Sequence, residues 1–79
     1  MKSFLSNIAD GTSVLVSQIE KSDLRVKLME MGITEGKLLE VLFRAPFGDP
    51  IAVNIDGYVL SLRKDEAQLI QVQSQDSSI

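Results

Sequence analysis

The dipeptide Asp56-Gly57 stands between two short alternating runs, "IAVNI" (residues 51–55) and "YVLSL" (residues 58–62). A two-residue connection between strands needs positive φ at both residues, and aspartate or asparagine followed by glycine meets that demand at least cost. Ile51, Val53 and Ile55 fall on one face of the first run. Tyr58, Leu60 and Leu62 fall on one face of the second. The pattern predicts an antiparallel hairpin over residues 51–62, and so a fold built on antiparallel sheet.

The stretch before it, "RAPFGDPIAV" (residues 44–53), carries two prolines and a glycine. Pro46 forces Ala45 to be extended, and Pro50 does the same to Asp49. Gly48 between them is free to take positive φ. A stiff corner between two antiparallel strands follows, with both prolines at strand ends because neither can donate to a ladder. A nucleotide-binding reading of this glycine loop fails on mechanism. A phosphate cradle needs several consecutive free amides, commonly at a helix start, whereas here two amides are missing and a strand follows. Phe47 at the tip has two readings, a lid folded onto the core or an exposed contact residue.

Other elements are read from period. "SVLVSQI" (residues 13–19) is β-branched and bounded by turn residues, which predicts a strand. In "DLRVKLMEMG" the period changes, since Leu24, Leu28 and Met31 fall within about 60° when each residue advances about 100°. Ser22 or Asp23 is the expected N-terminal cap. With Gly32 just past its end, Leu28 and Ile33 have the spacing of a Schellman ending. In "KLLEVLFRA", Leu39, Val41 and Phe43 face one way, while Leu38, Glu40, Leu42 and Arg44 face the other. "KDEAQLI" allows one helical turn, and "LIQV" a last strand. The expected fold is mostly β with one main helix (α+β): a small antiparallel β-barrel of about five strands, the helix inserted between strands 1 and 2. Residues 1–73 are read as one domain and residues 74–79 as a disordered polar tail.

The 79 residues include neither cysteine nor histidine. Disulfides are excluded, and ordinary zinc, copper and iron–sulfur sites lose their usual ligands. No D-x-[DN]-x-[DN]-G loop is present for a hard cation, so no metal site and no cofactor is expected. No pairing of nucleophile and base is visible, so no catalytic residue is assigned and an enzyme is not expected. The net charge of −3 opposes a dedicated nucleic-acid binder. No apolar run reaches the roughly 20 residues that span a bilayer, and the N-terminus lacks a signal-peptide core. A cytoplasmic location is the resulting expectation, with no membrane insertion.

The segments "KLMEMGITEG", "APFGDPIAV" and "GYVLSLRKDEAQLIQV" resemble, in order and spacing, the ferrous-iron transport protein A family (FeoA) over about residues 12–72. The resemblance rests on Leu28, Met31-Gly32-Ile33, Gly36, Ala45-Pro46, Gly48-Asp49-Pro50, Gly57, Leu62-Arg63, Glu66-Ala67 and Ile70. It implies an SH3-like β-barrel. It also implies a cytosolic, non-enzymatic accessory of bacterial ferrous-iron uptake, acting on the FeoB membrane transporter at its cytoplasmic G-protein region. The same domain occurs at the C-terminus of iron-dependent repressors. The alternative function is therefore a free-standing barrel that binds nucleic acid or serves as a regulatory domain, including one that takes a small ligand. The preceding repressor domains are not found in this chain, which disfavours that version.

Several residues off the core stripe bear on docking. Val26 and Met29 lie roughly 200° and 140° from Leu24, on the side expected to be wet. They are either ordinary exposed apolar residues or a contact patch with methionine as its adaptable part. Leu38 and Leu42 pose the same choice. Arg25, Lys27, Arg44, Arg63 and Lys64 are read either as ordinary solvated charges or as a positive zone for an acidic partner. The partner-binding residues expected on these grounds are Arg25, Val26, Leu28, Met29, Phe47 and Arg63.

Overall fold

The computed structural model describes residues 3–75. Its elements are β1 (Ser3–Phe4), a 3₁₀ turn (Leu5–Asn7), β2 (Ser13–Ile19), α1 (Arg25–Glu30), β3 (Leu38–Arg44), β4 (Ile51–Ile55), β5 (Tyr58–Leu62), α2 (Lys64–Ala67) and β6 (Ile70–Ser74). The strands form one antiparallel sheet in the order β1-β6-β2-β3-β4-β5. Leu5, beside one edge strand, and Leu62, on the other, belong to a single buried cluster with Leu28, Ile33, Val41, Val53, Ile70 and Val72. The sheet therefore curls around one core. Register shifts at Val16/Gln18 in β2 and Val41/Phe43 in β3 supply bends of the kind that increase strand twist.

The antiparallel sheet agrees with the expectation of about five strands, the sixth being the two-residue β1, which is too short to show alternation. The sheet is open, since no ladder joins β1 to β5 among the described residues. The main helix still follows the first long strand and precedes β3.

Local backbone constraints produce the connections. Asp56 and Gly57 take φ of 52° and 89°, and Ile55 faces Tyr58 across the turn. At the proline corner the Gly48 N–H donates to the Ala45 carbonyl at 2.7 Å, and the Ala45 N–H donates to the Pro50 carbonyl at 3.0 Å. Gly48 has φ of 87°, so this turn is closed on a residue without a Cβ. α1 ends as expected. The Ile33 N–H donates to the Leu28 carbonyl at 3.1 Å, and the Gly32 N–H donates to the Met29 carbonyl at 3.0 Å, with Gly32 at φ of 97°. That ending carries the chain across the helix terminus with both Leu28 and Ile33 fully buried. Each such side chain contributes on the order of 2 kcal/mol.

Four local expectations change. The helix begins later than the pattern implies, at Arg25, with no side-chain cap at Leu24. Ser22 instead accepts the Leu24 N–H on its Oγ at 3.1 Å, which closes the turn before the helix. Phe43 does not join Leu39 and Val41 in the core. The ladder steps from Val41–Val53 to Phe43–Ala52, so Leu42 is the extra residue of a bulge and Phe43 turns outward. Ser74 is strand rather than tail, because its backbone pairs with Val14. The rest of the expected tail, residues 76–79, lies outside the described residues.

Candidate docking surface

The Schellman ending fixes which side of α1 faces in. Leu28 points to the core, and a rotation of about 100° per residue then turns Val26 and Met29 outward. They are 63% and 46% exposed. Met29 lies one turn beyond Arg25, and the two line an open cleft of about 310 Å³ with Ile19, Thr34 and Glu35. The cleft combines apolar side chains with one charge of each sign. Leu28 is corrected: fully buried, it offers a partner no surface and serves the site only by orienting α1.

Phe47 is 97% exposed at the tip of the proline corner. The lid reading is excluded, because the Ala45–Gly48 turn projects the ring away from the core.

Three side chains tie these elements together. Lys27 of α1 donates to Glu66 Oε2 at 2.8 Å, and the Arg63 N–H donates to Glu66 Oε1 at 2.9 Å. Asp49, in the proline corner, accepts the Lys64 N–H on Oδ1 at 3.0 Å. Glu66 thus links α1 to the start of α2, and Asp49 links that start to the loop carrying Phe47. Burial alone would raise the Glu66 carboxyl. The Lys27 hydrogen bond, the Arg63 N–H and the positive charge of both residues outweigh burial and hold it below its ordinary value. Arg63 stands at the N-cap of α2, with its side chain exposed.

Glu66, beside the exposed Asp65 in a short helix, is almost wholly buried, which the one helical turn allowed by the sequence does not by itself indicate. A glutamate three residues after a helix N-cap is the available signal, since it can reach back to the cap N–H. The positive zone is also corrected. Lys27 is committed to Glu66. Arg44 donates to Asp10 Oδ1 and to the carbonyls of Ser6 and Ile8 at 3.0 and 2.6 Å. These bonds clamp the N-terminal turn onto β3. Arg25, Arg63 and Lys64 are left on the candidate surface.

Among the described residues no group of three or more His, Cys, Asp or Glu could hold a metal ion. None of their helices is long and apolar enough to cross a membrane.

The model of the FeoA domain matches residues 4–74. The chain belongs to the FeoA family. That family is one of ferrous-iron transport. The Fe(2+) transport protein A/Fe(2+) transporter FeoB fusion protein of Porphyromonas gingivalis is 33% identical over 70 residues. The match covers 87% of this chain but 8% of that relative. The FeoA-like protein of Clostridium acetobutylicum superposes with a TM-score of 0.89 at 40% identity, over 94% of this chain and 87% of that one. A manganese-dependent transcriptional repressor carries a similar unit, with a TM-score of 0.84 at 31% identity, over 92% of this chain and 41% of that one. Stenotrophomonas maltophilia FeoA, solved in complex with zinc and described as a procaryotic SH3 domain protein, shares the fold. Its TM-score is 0.79 at 24% identity, over 90% of this chain and 89% of that one. The FeoA fold of this chain is thus SH3-like, in an open form.

Proposed function

We propose that this FeoA chain is a non-enzymatic cytoplasmic accessory of ferrous-iron uptake that docks on the cytoplasmic G-protein region of a FeoB-type transporter. The outer side of α1, with Val26, Met29 and Arg25, makes the contact together with Phe47 and Arg63. The observation that carries this reading is the pairing of apolar exposure with a fixed scaffold. Val26, Met29 and Phe47 are presented by elements that Glu66 and Asp49 hold together. Exposed apolar residues on a rigid support suit protein docking. The P. gingivalis relative, a fusion of transport protein A and FeoB, supports the choice of partner.

Titration of the G-protein region with wild type, Val26→Asp, Met29→Asp and Phe47→Ala tests the reading. Each variant is expected to fold and to bind at least about tenfold more weakly. Unchanged binding by folded Val26→Asp and Met29→Asp removes the α1 face from the proposal.

The similarity to the manganese-dependent repressor is the one observation behind a second reading, a regulatory or nucleic-acid-binding barrel, which it does not favour over the first. The net charge of −3 opposes its nucleic-acid form. A salt-dependent affinity for DNA or RNA would establish it.

A further inference from the structure

β5 is an edge of the open sheet, and its ladder partner among the described residues is β4. Edge strands are usually protected by a charge, a proline, a bulge or very short length. The opposite edge, β1, has two residues. β5 has five, "YVLSL", with no charge and no proline, and its register with β4 is unbroken. Tyr58, Val59 and Ser61 are exposed.

Hairpin geometry sets which backbone groups are free. In a two-residue hairpin the residues flanking the turn, here Ile55 and Tyr58, exchange both hydrogen bonds. Tyr58, Leu60 and Leu62 therefore aim their N–H and C=O at β4. Val59 and Ser61 aim theirs out of the sheet. Two copies of β5 set antiparallel about a two-fold axis at Leu60 place Val59 of each copy opposite Ser61 of the other. The outward groups then meet as two mutually bonded pairs. The same register brings the Asp56-Gly57 turn of one copy alongside Arg63 and Lys64 of the other, where β5 gives way to α2, so that a lysine side chain can reach toward the aspartate. Moving the axis by one residue shortens the strand overlap and carries Asp56 away from Lys64. Hydrogen-bond phase, full overlap and charge therefore select one register.

We propose that β5 is a self-association edge, and that two copies of this chain join there into a continuous antiparallel sheet with Asp56 of each near Lys64 of the other. The Asp56 side chain is 48% exposed while it accepts the Lys37 ammonium at 2.8 Å, so its carboxylate is open to a second cation. The contact does not use the α1 face or Phe47, although Arg63 and Lys64 border both surfaces. Transporter docking can fail without affecting this inference.

The test is amide hydrogen exchange by NMR on the full chain at low micromolar and at millimolar concentration, with sedimentation at the same points. Concentration should slow exchange at Val59 and Ser61 and leave Tyr58, Leu60 and Leu62 unchanged, alongside a monomer–dimer equilibrium. Ser61→Pro removes an outward N–H and none of the donors to β4, so a folded variant keeps the hairpin ladder while association weakens at least about tenfold. Lys64→Glu brings a like charge near Asp56 and should also weaken it. A chain monomeric at millimolar concentration overturns the proposal. So does a dimer that leaves the Val59 and Ser61 amides unprotected, or one that survives folded Ser61→Pro.

Discussion

Lys27 Nζ and Glu66 Oε2 lie 2.8 Å apart, although 39 residues separate them in the chain. The carboxylate is almost wholly buried while the lysine remains more than half exposed. The asymmetry decides what each substitution does. Removing the lysine leaves a buried charge with only the Arg63 N–H to satisfy it, whereas removing the carboxylate releases a lysine that water can reach. Lys27→Met is therefore expected to cost more than Lys64→Met, a control on an ammonium that makes no ion pair among the described residues. Urea unfolding of the two variants at neutral pH measures the difference.

The same carboxylate gives a pH signature. Its pKa in the folded state is lowered from the ordinary value of 4.5. A group depressed on folding stabilises above its unfolded pKa and loses that contribution as pH falls through its folded pKa. Wild type should then lose stability progressively below about pH 4.5. Glu66→Gln keeps an acceptor for the Arg63 N–H but has no charge to titrate. It should be less stable at pH 7 by about 1–2 kcal/mol, with a gap that narrows as the pH drops. Urea midpoints from pH 3 to pH 7 read this directly, and a constant gap would exclude Glu66 as the source.

Gly32 isolates a backbone effect. A Cβ built there meets nothing within 4 Å, so Gly32→Ala costs only its left-handed backbone, φ 97°. Destabilisation of about 1–2 kcal/mol is expected. Leu28→Ala, which empties a fully buried site, should cost about 2–5 kcal/mol. Chemical denaturation of both variants should therefore rank Leu28→Ala as the more damaging.

What sequence alone reveals follows from how local the determining forces are. The Asp56-Gly57 turn, the Gly32 helix ending and the Ala45–Pro50 corner are each set by backbone sterics within a few residues, and each has the expected form. Phe43 misleads because a bulge in β3 reverses its side, and register across β3 and β4 is a tertiary property. Glu66 and Arg44 mislead because their partners, Lys27 and the Ser6–Asp10 segment, are distant in sequence. Val26 and Met29 lie where the helical period places them, but period has no bearing on what covers them.

Arg44 offers a test of long-range clamping. Its guanidinium joins β3 to Ser6, Ile8 and Asp10 through one side chain and one aspartate. Lysine carries the charge but lacks the planar fork that reaches several acceptors at once. Arg44→Lys should therefore loosen the N-terminal turn without unfolding the sheet. Faster amide exchange confined to residues near the 3₁₀ turn, with the β4–β5 hairpin unchanged, is the expected pattern.

Phe47 provides the sharpest separation of fold from docking. Its ring is almost fully exposed, so little apolar area leaves water when the chain folds. Phe47→Ala should shift unfolding free energy by less than about 0.5 kcal/mol, as for surface positions without special backbone. The turn is closed by Gly48 and Ala45 backbone groups, which the substitution leaves in place. Any loss of transporter binding by this variant can then be assigned to the ring itself. Thermal melts that superimpose on wild type, with weaker binding to the G-protein region, make Phe47 a contact residue. A large drop in melting temperature would instead show that the ring packs on the barrel, and would remove the corner from the docking surface.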